Sequence, residues 1–158
     1  MDDSSDSMNM TEGSAVNATT SPAVYHLPDS NIEMRLSWEP EAINTNDTTR
    51  FTFEFLNATT EQRIPNVSFA VHMTLGGKSM GHAHEAAAPE GIGTVDQKFD
   101  TMGNLAIIVE SIEVDNSSIT DFAQFNLNVV PEFPIGLAFV AGGIFGSVIL
   151  ITRLGRIV

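Results

Sequence analysis

The densest set of side chains able to do chemistry is His72-Met73 followed by Met80-Gly81-His82-Ala83-His84. Imidazole nitrogen suits copper and zinc, and thioether sulfur suits cuprous ion. If residues 67–75 form one strand, alternation turns His72 away from the core, and Gly76-Gly77 reverses the chain. Residues 80–84 then return beside His72, and His82 and His84, two apart, share a face if that return is a strand. His72, Met80, His82 and His84 are therefore the candidate copper ligands, three nitrogens and one soft sulfur, with Glu85 as an acceptor behind them. The competing reading is a surface hairpin with solvated histidines and Met73 in the core. His26 is remote in sequence from this set.

Other chemistries fail on context. Gly77-Lys78-Ser79-Met80-Gly81 fits Gly-x-Ser-x-Gly, but a nucleophile elbow needs a strand–turn–helix inside a large α/β sheet. No helical stripe precedes residue 133. Gly77-Lys78-Ser79 also resembles the end of a phosphate loop, yet the earlier glycine such a loop needs falls at His72. Carboxylates are many, among them Asp2, Asp3, Asp6, Asp96, Asp100, Glu110, Glu113, Asp115 and Asp121, but none forms the run of an EF-hand. The absence of cysteine excludes a disulfide scaffold, a thiol nucleophile and a blue-copper centre. No catalytic residues are expected, and the chain does not read as an enzyme.

Twenty acidic against seven basic side chains, a formal charge of -13, argue against nucleic acid, whose phosphates need a positive counter-surface. Charged residues are sparse, and Ser, Thr and Asn supply the polarity, as is common outside cells. Six Asn-x-Ser/Thr sequons stand at Asn9, Asn17, Asn46, Asn57, Asn66 and Asn116. Those at Asn46, Asn57, Asn66 and Asn116, inside the β region, are the candidate glycan sites of an exported chain.

Three zones hold these features. Residues 1–30 read as a disordered polar tail, too poor in apolar groups to offset their ordering entropy. Residues 31–130 alternate with period two: Met34, Leu36 and Trp38; Phe51, Phe53 and Phe55; Val67 through Leu75; Val95 to Phe99; Leu105, Ile107 and Val109; and Phe125, Leu127 and Val129. Turn-rich pieces at 44–47, 57–66, 76–81, 89–93 and 115–118 separate these runs. Six or seven short strands, each with one buried and one wet face, predict an all-β sandwich with Trp38 filling its centre. The arrangement resembles an immunoglobulin-like β-sandwich.

The third zone, 131–158, opens with Pro131-Glu132-Phe133. Residues 135–152 then carry no charge, and Arg153 and Arg156 follow. About 18 residues make ~27 Å of helix, close to a hydrocarbon core. The arginines act as a membrane stop and remain cytoplasmic under the positive-inside rule, so the β domain is expected outside. No apolar leader is visible in residues 1–7, and an exported chain is expected to have lost one before this numbering begins. Gly142 and Gly146 have a spacing that lets two such helices approach.

This C-terminal order resembles the tripartite archaeal sorting signals of the PEF type, in the version carried by surface proteins of ammonia-oxidising archaea. The resemblance covers residues 131–158 and implies recognition by an archaeal membrane sortase at Pro131, Glu132 and Phe133. The expected role is a membrane-anchored, single-pass structural or interaction module of the cell surface, with membrane lipid and other surface proteins as partners. The alternatives are extracytoplasmic copper binding or delivery through the His/Met hairpin, and an accessory subunit of a membrane enzyme complex.

Overall fold

A computed structural model describes residues 15–81 and 83–132. Eleven strands follow in order: β1 Val16–Asn17, β2 Ala23–His26, β3 Ile32–Glu39, β4 Thr48–Asn57, β5 Val67–Leu75, β6 Lys78–Ser79, β7 His84–Ala88, β8 Ile92–Lys98, β9 Gly103–Val114, β10 Ser117–Ile119 and β11 Ala123–Val129. They form two sheets. One has the order β2-β3-β4-β8. The other runs β1-β11-β9-β5-β6, with β7 also on β5 and β10 also on β9. Every pairing is antiparallel except β1 with β11.

Alternation in the sequence becomes alternation in burial. Along β3 the pattern is strict: Ile32, Met34, Leu36 and Trp38 are buried, while Glu33, Arg35 and Ser37 are half-buried and Glu39 is exposed. Opposed pairs share a face. Met34 faces Phe55, Leu36 faces Phe53 and Trp38 faces Phe51 on β4. The two sheets meet through aromatic rings. Phe69 of β5 lies 5.2 Å from Phe53 and 5.0 Å from Phe55, centroid to centroid, and Tyr25 of β2 lies 6.0 Å from Phe125 of β11. Such tilted contacts add to area burial, which is worth about 1.5–3 kcal/mol for one large apolar side chain. Backbone at Gly93 makes room for this cluster: a Cβ there would fall 2.8 Å from the Phe69 ring. The chain is thus an all-β protein with two packed sheets, as expected.

Two expectations are corrected. The tail was expected to reach residue 30, but the fold begins earlier. Val16–Asn17 pairs with β11, and Ala23–His26 is an edge strand on β3, with Ala23, Tyr25 and Leu27 turned into the core. Composition hid this strand. Ser, Thr and Asn dominate around it, while its own inward residues alternate in the ordinary way. Residues 1–14 lie outside the described residues. Trp38 is buried, but it sits next to last on β3 with its indole N–H donating to the Glu41 carbonyl at 3.0 Å. The middle of the core belongs instead to the phenylalanines of β4 and β5.

The sandwich has two unlike ends. At one, the loop 39–48 holds the departing chain. The amide of Val130 donates to the Ile43 carbonyl at 2.8 Å, its carbonyl accepts from Thr45 N at 3.0 Å, and Glu132 N donates to Thr45 Oγ1 at 3.3 Å. The turn Gly76-Gly77, Lys78, Lys98 and the exposed Met102 lie at this end too. At the other end lie residues 27–31, 57–66, 89–91, the β9–β10 turn at Asp115-Asn116, and the entry to β11.

Candidate metal centre on the β5–β7 hairpin

The histidine hairpin is built on a two-residue turn. Gly76 and Gly77 both have positive φ, +58° and +78°, as the tight hairpin turn demands, and Leu75 pairs with Lys78. That turn length fixes the faces. With two residues in the loop, odd positions on β5 oppose even positions on the return. Thr74 therefore opposes Ser79, and Val71 opposes His84.

His72 is half-buried on the outer face of its sheet, opposite Ile108 of β9. Its Nε2 lies 3.3 Å from Ser79 Oγ, whose hydroxyl donates to the Gly81 carbonyl at 3.1 Å. A serine has one hydroxyl proton, so with that proton on Gly81 the Nε2–H of His72 is the donor. This hydrogen bond occupies one ring nitrogen and leaves Nδ1.

His84 opens β7 and is exposed. Its partner Val71 is fully buried in the core, so His84 projects from the core-facing side of the sheet, beyond the point where the core ends. His72 and His84 are thus on opposite faces. Met80 donates its amide to the Met73 carbonyl at 3.0 Å, and its half-buried side chain packs against the core. Glu85 opposes Ala70 on the outer face, on the same side as His72. His82 lies outside the described residues. Among the described residues, no three His, Asp or Glu side chains are grouped to hold a metal ion. The expected convergence of His72, Met80 and His84 is not found, and the turn length explains why: three loop residues would have placed the return histidines beside His72. His26 stands on the other sheet, 3.7 Å from Glu33.

Ser79 of the Gly-x-Ser-x-Gly match occupies a two-residue strand next to a hairpin turn, with no helix after it. The carboxylates are also spoken for in part. Asp96 accepts from Arg50 Nε at 2.8 Å and from Arg50 Nη2 at 3.0 Å, and this hydrogen bonding holds its carboxyl below the ordinary range. Burial, with Asp121 nearby, raises the Tyr25 phenol above its ordinary value. A surface depression of about 530 Å³ is lined by Ile108, Glu110, Ser111, Ile119, Thr120, Asp121 and Phe122. The sequence carries no signal for it, because it is made where the short β10 folds back on β9.

The four sequons of the β region differ in what their side chains do. Asn57 Oδ1 accepts from the amides of Thr59 and Thr60, each at 3.0 Å, and from Asn31 Nδ2 at 3.2 Å. The Thr59 hydroxyl donates to Asn31 Oδ1 at 3.1 Å. Asn66 donates Nδ2 to Asp115 Oδ1 at 3.0 Å, and the two residues after it enter β5, the first of them, Val67, fully packed. Asn46 and Asn116 are exposed at turns with positive φ. Of the C-terminal features, Pro131 and Glu132 are exposed beside loop 39–48, while Phe133, Arg153 and Arg156 lie outside the described residues. Among the described residues no helix is long and apolar enough to cross a membrane. Set against known protein families, curated proteins and solved structures, the chain matches none.

Proposed function

We propose that this chain is a surface-exposed immunoglobulin-like module, held at a membrane by residues 135–152, with a structural or interaction role and no catalysis. The strand plan supports the first part. Taken in chain order, β3, β4, β5, β8, β9 and β11 divide between layers as six strands of that fold do, while the intervening β7 pairs with β5 instead of joining the β3-β4-β8 layer. β4 lies between β3 and β8, and β9 lies between β5 and β11. β2 and β1 are additions at the edges.

The observation that carries the anchoring is the pinned departure of the chain. Hydrogen bonds fix Val130 and Glu132 to loop 39–48, so the uncharged stretch begins two residues beyond one end of a rigid body. The two residues between Glu132 and the uncharged stretch reach at most ~7 Å. Such a short tether holds that end of the sandwich near the headgroups and directs the other end outward. Pro131-Glu132-Phe133 would present the sorting signal in this narrow gap, where a membrane-bound sortase could meet it.

Cell fractionation with surface proteolysis tests the reading. The full chain should sediment with membranes, resist alkaline carbonate and dissolve in detergent. Protease added to intact cells should remove residues 15–132. A freely soluble full chain, or a β domain protected in intact cells, overturns it.

A further inference from the structure

We infer that Asn116 is a glycan acceptor and that Asn57 and Asn66, despite equal sequons, are structural residues. The inference rests on the exported topology proposed above. Transfer joins Asn Nδ2 to the anomeric carbon of a sugar carried on a polyprenyl diphosphate. The carbon–oxygen bond to the diphosphate breaks with its electron pair on the departing phosphate, the carbon–nitrogen bond forms, and one amide proton passes to a base. The transferring enzyme must reach both the amide and the hydroxyl two residues on, and the product must fit a bulky polar group at the surface.

The three sequons lie at the same end of the sandwich, the one remote from the departing chain, so they share one environment and differ in local chemistry. In Asn57-Ala58-Thr59 the side-chain amide is fixed through its oxygen, which caps the loop and accepts from Asn31, and the Thr59 hydroxyl is held by Asn31. In Asn66-Val67-Ser68 the amide is on Asp115, and the middle residue is a core side chain. Exposing that segment would unzip the start of β5, which is paired on one side with β7 and on the other with β9.

Asn116-Ser117-Ser118 is different on every count. Asp115 and Asn116, with φ of +49° and +63°, form the two-residue turn of the β9–β10 hairpin. Asn116, Ser117 and Ser118 are all exposed. The Asn116 amide makes no side-chain hydrogen bond among the described residues, and Ser118 Oγ reaches only Glu113, at 3.2 Å on the surface. β10 is three residues long and pairs only with β9; Ile119 packs against the core and Asp115 is tied to Asn66, but the side chains of Asn116, Ser117 and Ser118 between them face solvent. A sugar there stands at the tip of the hairpin, on the rim of a shallow depression shared with Asn66, Ser68 and Pro89.

The test uses the native full chain, with glycopeptide mass spectrometry run beside surface proteolysis. The expected result is a surface-exposed protein with Asn116 occupied and with Asn57 and Asn66 bare. Ser118→Ala removes the sequon without touching the turn, and should lower the mass by one glycan and leave the melting temperature within about 1–2 °C. Asn116→Gly, which suits the turn, should do the same. A surface-exposed protein with Asn116 bare, or with Asn57 or Asn66 occupied in its place, overturns the assignment alone. A protein shielded from external protease overturns the exported topology and the assignment together.

Discussion

The β3–β4 and β5–β7 hairpins each open on a long alternating strand, β3 and β5, yet they carry different information. In β3–β4 eight consecutive pairs keep one register, and inward Met34, Leu36 and Trp38 each meet an inward phenylalanine. The phenylalanines on β4 then lock to Phe69 across the sheets. In the second hairpin the register set by Gly76-Gly77 holds for two pairs, then shifts by two residues before β7 resumes at His84. Its return strand is His-Glu-Ala-Ala-Ala, with one buried side chain, Ala88. The lesson is that alternation fixes a face where there is a core to bury it, and only turn length fixes it elsewhere.

The largest effect should come from the first hairpin. Phe53→Ala deletes a fully buried ring that touches Phe69, and large-to-small changes of this kind cost about 3–5 kcal/mol. Urea unfolding should show a much lower midpoint at unchanged slope. A loss below about 1 kcal/mol would mean that the aromatic contact between sheets is not what joins them.

Next is Gly93→Ala. The added Cβ would lie 2.8 Å from Phe69 carbons and 3.0 Å from the Ala87 carbonyl oxygen, so a ring or a strand must move. Overpacking typically costs about 1–3 kcal/mol. The same substitution at Gly77 meets no atom within 4 Å and is disfavoured by its φ of +78° alone, a cost of about 1 kcal/mol. Thermal melts of the two variants should therefore rank Gly93→Ala below Gly77→Ala. The reverse order would mean that the Gly76-Gly77 turn is specified more tightly than the packing of β8 against Phe69.

How much of this was legible follows from the same contrast. β3, β4, β5, β9 and β11 announce themselves because their inward residues are large: Leu36, Phe53, Val71, Ile107 and Phe125. β2 was concealed by its polar neighbours, although Ala23, Tyr25 and Leu27 alternate. β7 was concealed by alanines, which favour no strand. Trp38 lost the centre of the core because three phenylalanines two apart on β4 fill it from within one strand. The faces of His72 and His84 were readable in principle. Gly-Gly between two alternating runs signals a two-residue turn, and that length alone sets odd against even. What no single-strand pattern could reveal was the depression beside β10 or the tie between Asn66 and Asp115, since both join segments distant in sequence.

A smaller effect is expected from the pair at the start of β4. Asp96 is exposed at the surface, and Arg50 holds its carboxyl below the ordinary range through their hydrogen bonds. A folded-state pKa below the unfolded value adds stability above the unfolded pKa of about 3.9, and that stability is lost as pH falls through the folded value. Asp96→Asn should therefore be slightly less stable than the parent at pH 7, and the gap should close in urea melts at acid pH. A gap that widens on acidification would contradict the sign.

The smallest effect is a coupling expected to be near zero. His72 and His84 lie on opposite faces of one sheet, His72 bonded to Ser79 and His84 in solvent. Side chains that share no partner act independently, within about 0.3–0.5 kcal/mol. Cupric and cuprous titrations of the parent, His72→Ala, His84→Ala and the double variant should show additive changes in binding free energy. A site made by both residues would behave otherwise: either single replacement would lose as much as the double. That result would mean the return segment of the hairpin leaves the register set by Gly76-Gly77 to close on metal. The odd–even rule would then govern the metal-free hairpin only.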